Sequence, residues 1–332
     1  MEIATTTFNP YDFALRTIYN VPEYKDFKYT FNWTSLLLII ILIYTIPCFL
    51  IFSKIAVFFL KNKKKIKESG LSLDIFQAFL AMQSWNLLMI IGEFLMFRIP
   101  YTGVFTRHCA NEYPELMMRC IVFFFYWGFY TSQMLTVMFC GLRVYLLYSF
   151  GNSEKKREVQ LFSFVFMLFG FLLSLPQFLS GQMCLQMQKP YPFGAVILIS
   201  EFYYYNVDIV AFLDFLFSTF VTLAIIGFTT AMLLKIRSNS KLVPQSAMTS
   251  TRNLKAERAL TGTMIVLLIP QVIYQLNAAA EVIGLIFYEY ILFIGHVALD
   301  TRVHLVTCYF YFTHPVFKKK GLQPPATIKV SS

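Results

Sequence analysis

The sequence predicts an all-α membrane protein: a bundle of seven transmembrane helices with its N-terminus outside and its C-terminus in the cytosol. Three observations predict it. First, the 332 residues are 57% hydrophobic and only 14% charged, against roughly 25% charged in an ordinary soluble domain, whose exterior must be largely polar. Second, seven apolar segments each supply the roughly 20 helical residues that cross a bilayer core. Third, Lys and Arg crowd into alternate connections between those segments, the asymmetry that orients membrane proteins. The same composition excludes disorder, collagen and coiled coil. Six Cys are too sparse for a small disulfide scaffold.

Residues 1–32 form a polar external segment without an apolar h-region, so the first span is expected to act as its own insertion signal. The seven spans are expected at 33–60, 71–97, 118–148, 161–180, 206–234, 259–283 and 290–313, within a seven-helix domain over 33–317. A short cytosolic tail follows over 318–332. Spans rich in Phe, Ile, Leu and Met without strand-like alternation argue for helices over a barrel. The first and third are longer than a bilayer needs, which predicts tilt or protrusion.

Lys61, Lys63, Lys64, Lys65 and Lys67 follow the first span, and Lys155, Lys156 and Arg157 follow the third. Lys235, Arg237, Lys241, Arg252, Lys255 and Arg258 follow the fifth, and Lys318, Lys319, Lys320 and Lys329 follow the seventh. With Lys54 this side holds nineteen of the 28 basic residues, while the other holds seven, Arg98 among them. The net charge of +10 is therefore a topology signal, with a secondary attraction to anionic membrane lipids. No nucleic-acid partner is expected.

Motifs for zinc hydrolysis, acyl transfer, nucleophilic hydrolysis, phosphate binding and dinucleotide binding are all missing from the sequence. Residues 288–317 hold no Lys for a retinal Schiff base. The reading is a non-enzyme without cofactor or metal.

An unpaired charge at bilayer depth costs on the order of 3 kcal/mol. Glu93, Asp208, Asp214, Asp300 and Arg302 fall in the outer parts of spans 2, 5 and 7. Glu93, Asp300 and Arg302 either satisfy one another as an ion triad or face a cavity entered from outside. Pro270 kinks the sixth span, and Gln271, Tyr274 and Gln275 lie along one side of it. His296, Asp300 and His304 recur every four residues over about 12 Å, too long a row to close on one metal ion. They read as a hydrogen-bonded His–Asp stripe. The expected ligand cavity is lined by Glu93, Trp127, Asp214, Gln271, Tyr274, Gln275, His296 and Asp300. A disulfide from Cys184 to Cys109 or Cys120 would tie the second outer loop over the bundle, and position alone favours Cys120, at the outer end of span 3. Cys48, Cys140 and Cys308 read as small apolar residues. A glycosylation sequon, Asn32-Trp33-Thr34, stands at the membrane edge.

Several strings resemble nematode serpentine chemoreceptors of the Srg superfamily, most nearly class U, with classes G and V as sisters. They are Asn20-Val21-Pro22-Glu23-Tyr24, Tyr44-Thr45-Ile46-Pro47, Phe139-Cys140-Gly141-Leu142-Arg143, Pro190-Tyr191-Pro192-Phe193-Gly194-Ala195 and Tyr311-Phe312-Thr313-His314-Pro315-Val316-Phe317. Rhodopsin-like signatures are poor: Gly141-Leu142-Arg143 stands where Asp-Arg-Tyr would, and span 7 has no Asn-Pro-x-x-Tyr. The resemblance implies a chemosensory G-protein-coupled receptor in a plasma membrane, that of sensory-neuron cilia. It would bind a small external molecule and meet a heterotrimeric G protein through Arg143 and the basic loops. It also favours Cys109 as the partner of Cys184. The alternatives are a ligand-gated channel of the insect odorant type, which places its N-terminus inside, and a transporter, which would show repeat symmetry.

Overall fold

The computed structural model describes residues 17–68, 72–112, 115–148, 156–201, 203–204, 207–242, 248–283, 288–314 and 316–317. Among these residues, seven helices are long and apolar enough to cross a membrane. They are α1 (Trp33–Lys61), α2 (Leu73–Tyr101), α3 (Glu115–Tyr148), α4 (Lys156–Leu179), α5 (Ile209–Leu242), α6 (Met248–Ile283) and α7 (Tyr288–Thr313). Two strands, β1 (Gly181–Gln186) and β2 (Val196–Glu201), pair antiparallel between α4 and α5. Tyr203–Tyr204 (β3) pairs with Val207–Asp208 (β4) just before α5. Asp208 therefore belongs to a strand, not to the fifth span as expected.

All seven spans fall where hydropathy places them, but α5 runs on to Leu242 rather than 234 and α6 starts at Met248 rather than 259. Hydropathy senses where the membrane ends, while polar helix formers such as Arg252, Lys255 and Glu257 let a helix continue into water. The hairpin has no counterpart among the expected elements. Its strands carry Gln182, Gln186 and Ser200 among apolar residues, too little alternation for a strand signal.

α2 packs on α3, α3 on α4 and α5, α5 on α6, and α6 on α7, which closes the ring against α1. Glycine sets the tightest approach. A Cβ on Gly92 would stand 2.8 Å from the Phe125 Cα, and one on Gly128 would stand 3.2 Å from the Met89 Cα. Backbones of α2 and α3 thus touch where small residues allow it. Lipid-facing surfaces are aliphatic and aromatic: Ile39, Ile43, Ile46 and Phe49 on α1, Leu161, Phe164 and Leu172 on α4, and Phe220 and Leu223 on α5 are all exposed.

The core has two apolar storeys. The one nearer the hairpin is built on Met89, Phe97, Phe125, Phe129, Tyr191 and Val196. The other is built on Phe76, Phe79, Met82, Phe139, Met264 and Phe310. Between them lie buried polar side chains, Gln83 and Asn86 on α2, Ser132 and Thr136 on α3, Gln271 on α6 and Arg302 on α7.

The hairpin end is tied together covalently. Cys109, in the short helix Thr106–Asn111, is disulfide-bonded to Cys184 in β1. The chain at 17–20 threads across this join: Ile18 N–H donates to the Cys184 carbonyl at 3.2 Å and Asn20 N–H to the Ala110 carbonyl at 3.0 Å. Cys120 is exposed on α3 and carries a free thiol. Gly194 turns the hairpin loop with φ +86°, and the Phe27 ring fills the place where its Cβ would stand.

Candidate functional site

The site is built on an irregularity of α2. Residues five apart in an α-helix point about 140° apart, so Glu93 and Arg98 should face different neighbours. Phe94–Arg98 instead forms a π-helical turn, whose i→i+5 hydrogen bonding returns the fifth residue to the first one's face. Arg98 Nη2 donates to Glu93 Oε1 at 3.1 Å and to Asp300 Oδ2 of α7 at 2.6 Å. His296 Nδ1 lies 3.0 Å from the same Glu93 Oε1, and its Nε2 lies 3.2 Å from the Tyr101 hydroxyl. A neutral imidazole protonated on Nδ1 satisfies both contacts: it donates to the carboxylate and accepts from the phenol. Glu93 is fully buried, and Arg98, His296 and Asp300 are each no more than 4% exposed. Glu93 Oε2 and Asp300 Oδ1 are buried and accept no hydrogen bond from the described residues.

Aromatic side chains close the cluster on the hairpin side. The Tyr191 ring lies 4.7 Å from that of Tyr101. Trp33 lies 6.0 Å from Tyr191 and 6.1 Å from Phe293, and Phe97 lies 4.3 Å from the His296 ring. Burial pushes the Tyr191 phenol up to about 12, so it stays neutral at any physiological pH.

A second polar centre joins α3, α5, α6 and α7 in the belt between the storeys. Arg302 donates to Thr136 Oγ1 at 2.5 Å and to Gln271 Oε1 at 3.3 Å. Gln271 in turn donates to Thr222 of α5 at 3.3 Å. One turn on, Gln275 accepts from Ser218 and donates to Thr219, both at 2.6 Å. The Tyr130 hydroxyl donates to Asp214 and meets the Gln177 carboxamide at 2.9 Å, linking α3 to α5 and α4. Tyr274 packs on Phe129 at 4.7 Å.

The structure therefore brings Glu93, His296 and Asp300 together, and sets Gln271, Gln275 and Asp214 in separate interhelical contacts. Three readings need correction. Arg302 is not the partner of Glu93 and Asp300; Arg98 is. Arg302 stands two residues past Asp300, about 200° round the helix, and so faces α3 and α6. The His–Asp stripe does not form as a side-chain row: His304 Nδ1 meets the Asp300 backbone carbonyl, and its ring stacks on Tyr44 at 3.9 Å. Trp127 lies outside the cluster. Its indole N–H donates to the Met167 carbonyl at 3.1 Å, and its ring packs edge-on against Trp85 at 5.2 Å.

Arg98 is hidden in the sequence because an α-helical wheel places it away from Glu93. A Pro two residues on, Pro100, marks irregular helix there but not a π turn. Arg143 is only 2% exposed, so in this packing it is not presented at the end of the bundle. Asn32 works as the cap of α1: its Oδ1 accepts the Ser35 N–H at 3.0 Å and its Nδ2 donates to the Thr102 carbonyl at 3.2 Å.

Two comparisons bear on function. The family model described as serpentine type seven-transmembrane GPCR chemoreceptor Sru matches residues 18–320. The chain is also similar to the serpentine receptor class U-26 of Caenorhabditis elegans, with 23% identity over 248 residues, 74% of this chain and 84% of that protein.

Proposed function

Since the chain belongs to the Sru family of serpentine seven-helix chemoreceptors, we propose that it is a G-protein-coupled receptor that detects a small external molecule in the hairpin half of its bundle. The family is one of receptors rather than enzymes. The observation that carries the reading is the ion cluster of Glu93, Arg98, His296 and Asp300. Charges this deep are costly, and these lie under an aromatic lid on the end where the disulfide fastens the hairpin. The disulfide supports that end being the external one, since disulfides persist in oxidising compartments. Lys61, Lys63, Lys64 and Lys235 lie toward the other end, which supports its facing the cytosol and its anionic lipids.

In this reading the receptor sits in the plasma membrane, that of sensory cilia. The ligand works by favouring a packing in which the inner ends of α5 and α6 part from α3. The centre of Arg302, Gln271 and Thr222 ties α7, α6 and α5 together and must rearrange for that motion. Parting these ends exposes Arg143 and the basic connections to a heterotrimeric G protein.

The test is nucleotide exchange on a panel of heterotrimeric G proteins with purified receptor in bilayer discs, across a small-molecule library. An active compound raises exchange on at least one G protein. Equal exchange with and without every compound overturns the reading, and a ligand-gated current without G protein would replace it with a channel.

A further inference from the structure

The ion cluster is one positive charge short. Two carboxylates, Glu93 and Asp300, face one guanidinium, Arg98, and His296 satisfies both of its contacts as a neutral ring. Arg98 engages one oxygen of each carboxylate. The other two, Glu93 Oε2 and Asp300 Oδ1, are buried with no donor among the described residues. A buried, unpaired carboxylate oxygen is far more costly than a paired one. Arg302 cannot supply the missing charge, because it faces Thr136 and Gln271.

We propose that these two oxygens are the recognition point for a protonated amine carried by the external ligand. The inference rests on the reading of the protein as a receptor for such a ligand. An ammonium offers up to three N–H donors and one positive charge, which matches two unpaired carboxylate oxygens and the net charge of −1 that the cluster carries with both carboxylates ionised and His296 neutral. An anion would meet two carboxylates and be repelled. A neutral alcohol would leave the charge uncompensated. The rings of Phe97, Tyr101 and Tyr191 lie around the cluster, and π faces favour a cation over an anion. At the hairpin Trp33 meets both Tyr191 and Phe293 through ring contacts, on the side from which the proposed ligand would reach the cluster.

The experiment uses full-length receptor in bilayer discs and a set of aliphatic and aromatic amines. Each amine is paired with the alcohol of the same shape, at a pH where the amine is charged. Thermal stabilisation reports binding, and nucleotide exchange on the G-protein panel is read in parallel. At least one amine is expected to raise the Tm while its alcohol does not, a comparison that needs no variant. Glu93→Gln and Asp300→Asn, which keep the shape of each side chain, are each expected to weaken that amine by on the order of tenfold or more. Stabilisation by alcohols or acids as strong as by their amines overturns the inference, and so does an amine effect that both variants leave intact. Exchange driven only by neutral or acidic compounds overturns it while leaving the receptor reading in place. Amine binding without exchange on any G protein does the reverse.

Discussion

Glu93 and Arg98 are joined at 3.1 Å although they stand five positions apart in one helix, and the π-helical turn between them makes that possible. The same turn delivers Arg98 to Asp300 on α7, so a local backbone detail of α2 fastens two helices. Arg98→Met leaves two buried carboxylates without a cation. It should lower stability by about 3–5 kcal/mol, seen as a large drop in Tm or in folded yield after detergent extraction.

Arg302 should behave in the opposite way. Its partners are a hydroxyl and an amide, not a carboxylate, so its burial is poorly compensated. Arg302→Met keeps the volume and removes the desolvated charge. Stability should stay level or rise, by at most about 3 kcal/mol, read as an unchanged or higher Tm, while under the proposed function ligand-driven nucleotide exchange falls because α7 is uncoupled from α6. A fall in Tm comparable with that of Arg98→Met would sink this assignment.

At the α2–α3 contact, Gly92→Ala places a methyl 2.8 Å from the Phe125 Cα. Backbone cannot give way as a side-chain tip can. The helices must separate, at a cost of roughly 1–3 kcal/mol. Thermal unfolding of the purified variant measures this, and an unchanged Tm would show that the contact is looser than described.

Cys109→Ser and Cys184→Ser should give matching losses of stability and surface expression, of about 4 kcal/mol for a closed loop of this length. The double variant should be no worse than either single one. Cys120→Ser should be silent, since that thiol is free and exposed.

His314 follows the last turn of α7 and is fully buried. Burial and then the nearby Arg143 charge lower it to about 4 from the usual 6.5. The unfolded chain therefore binds a proton in a window where the folded chain does not. Stability from this group is full above pH 6.5 and is lost as pH falls toward 4, by up to about 3 kcal/mol. His314→Asn should flatten that part of the Tm–pH profile. A variant profile as steep as the wild-type one over this window would refute the assignment.

The seven spans are legible because a bilayer imposes one signal, about 20 apolar residues, on each of them. The carboxylates are legible for the same reason: Glu93 and Asp300 stand out in apolar surroundings. Their partner is not. Arg98 sits at the predicted edge of its span, where an arginine reads as a topology charge, and only a change in helical pitch turns it inward. Trp127 is misplaced by the sequence because an amphipathic ring suits a helix–helix seam as well as a cavity wall. The hairpin escapes notice because β1 and β2 are flanked by apolar helices and carry no alternation. For Cys184, position favours Cys120, whereas resemblance favours Cys109, the residue to which the structure bonds it.

The placement of the three tryptophans has an optical consequence. Trp85 and Trp127 lie together in the seam of α2, α3 and α4, whereas Trp33 stands at the hairpin against Tyr191 and Phe293. A chain with Phe at 85 and 127 would carry a single indole, seated at the hairpin end in ring contact with Tyr191 and Phe293. Its emission wavelength would then report any repacking of the hairpin end in unlabelled protein, in real time.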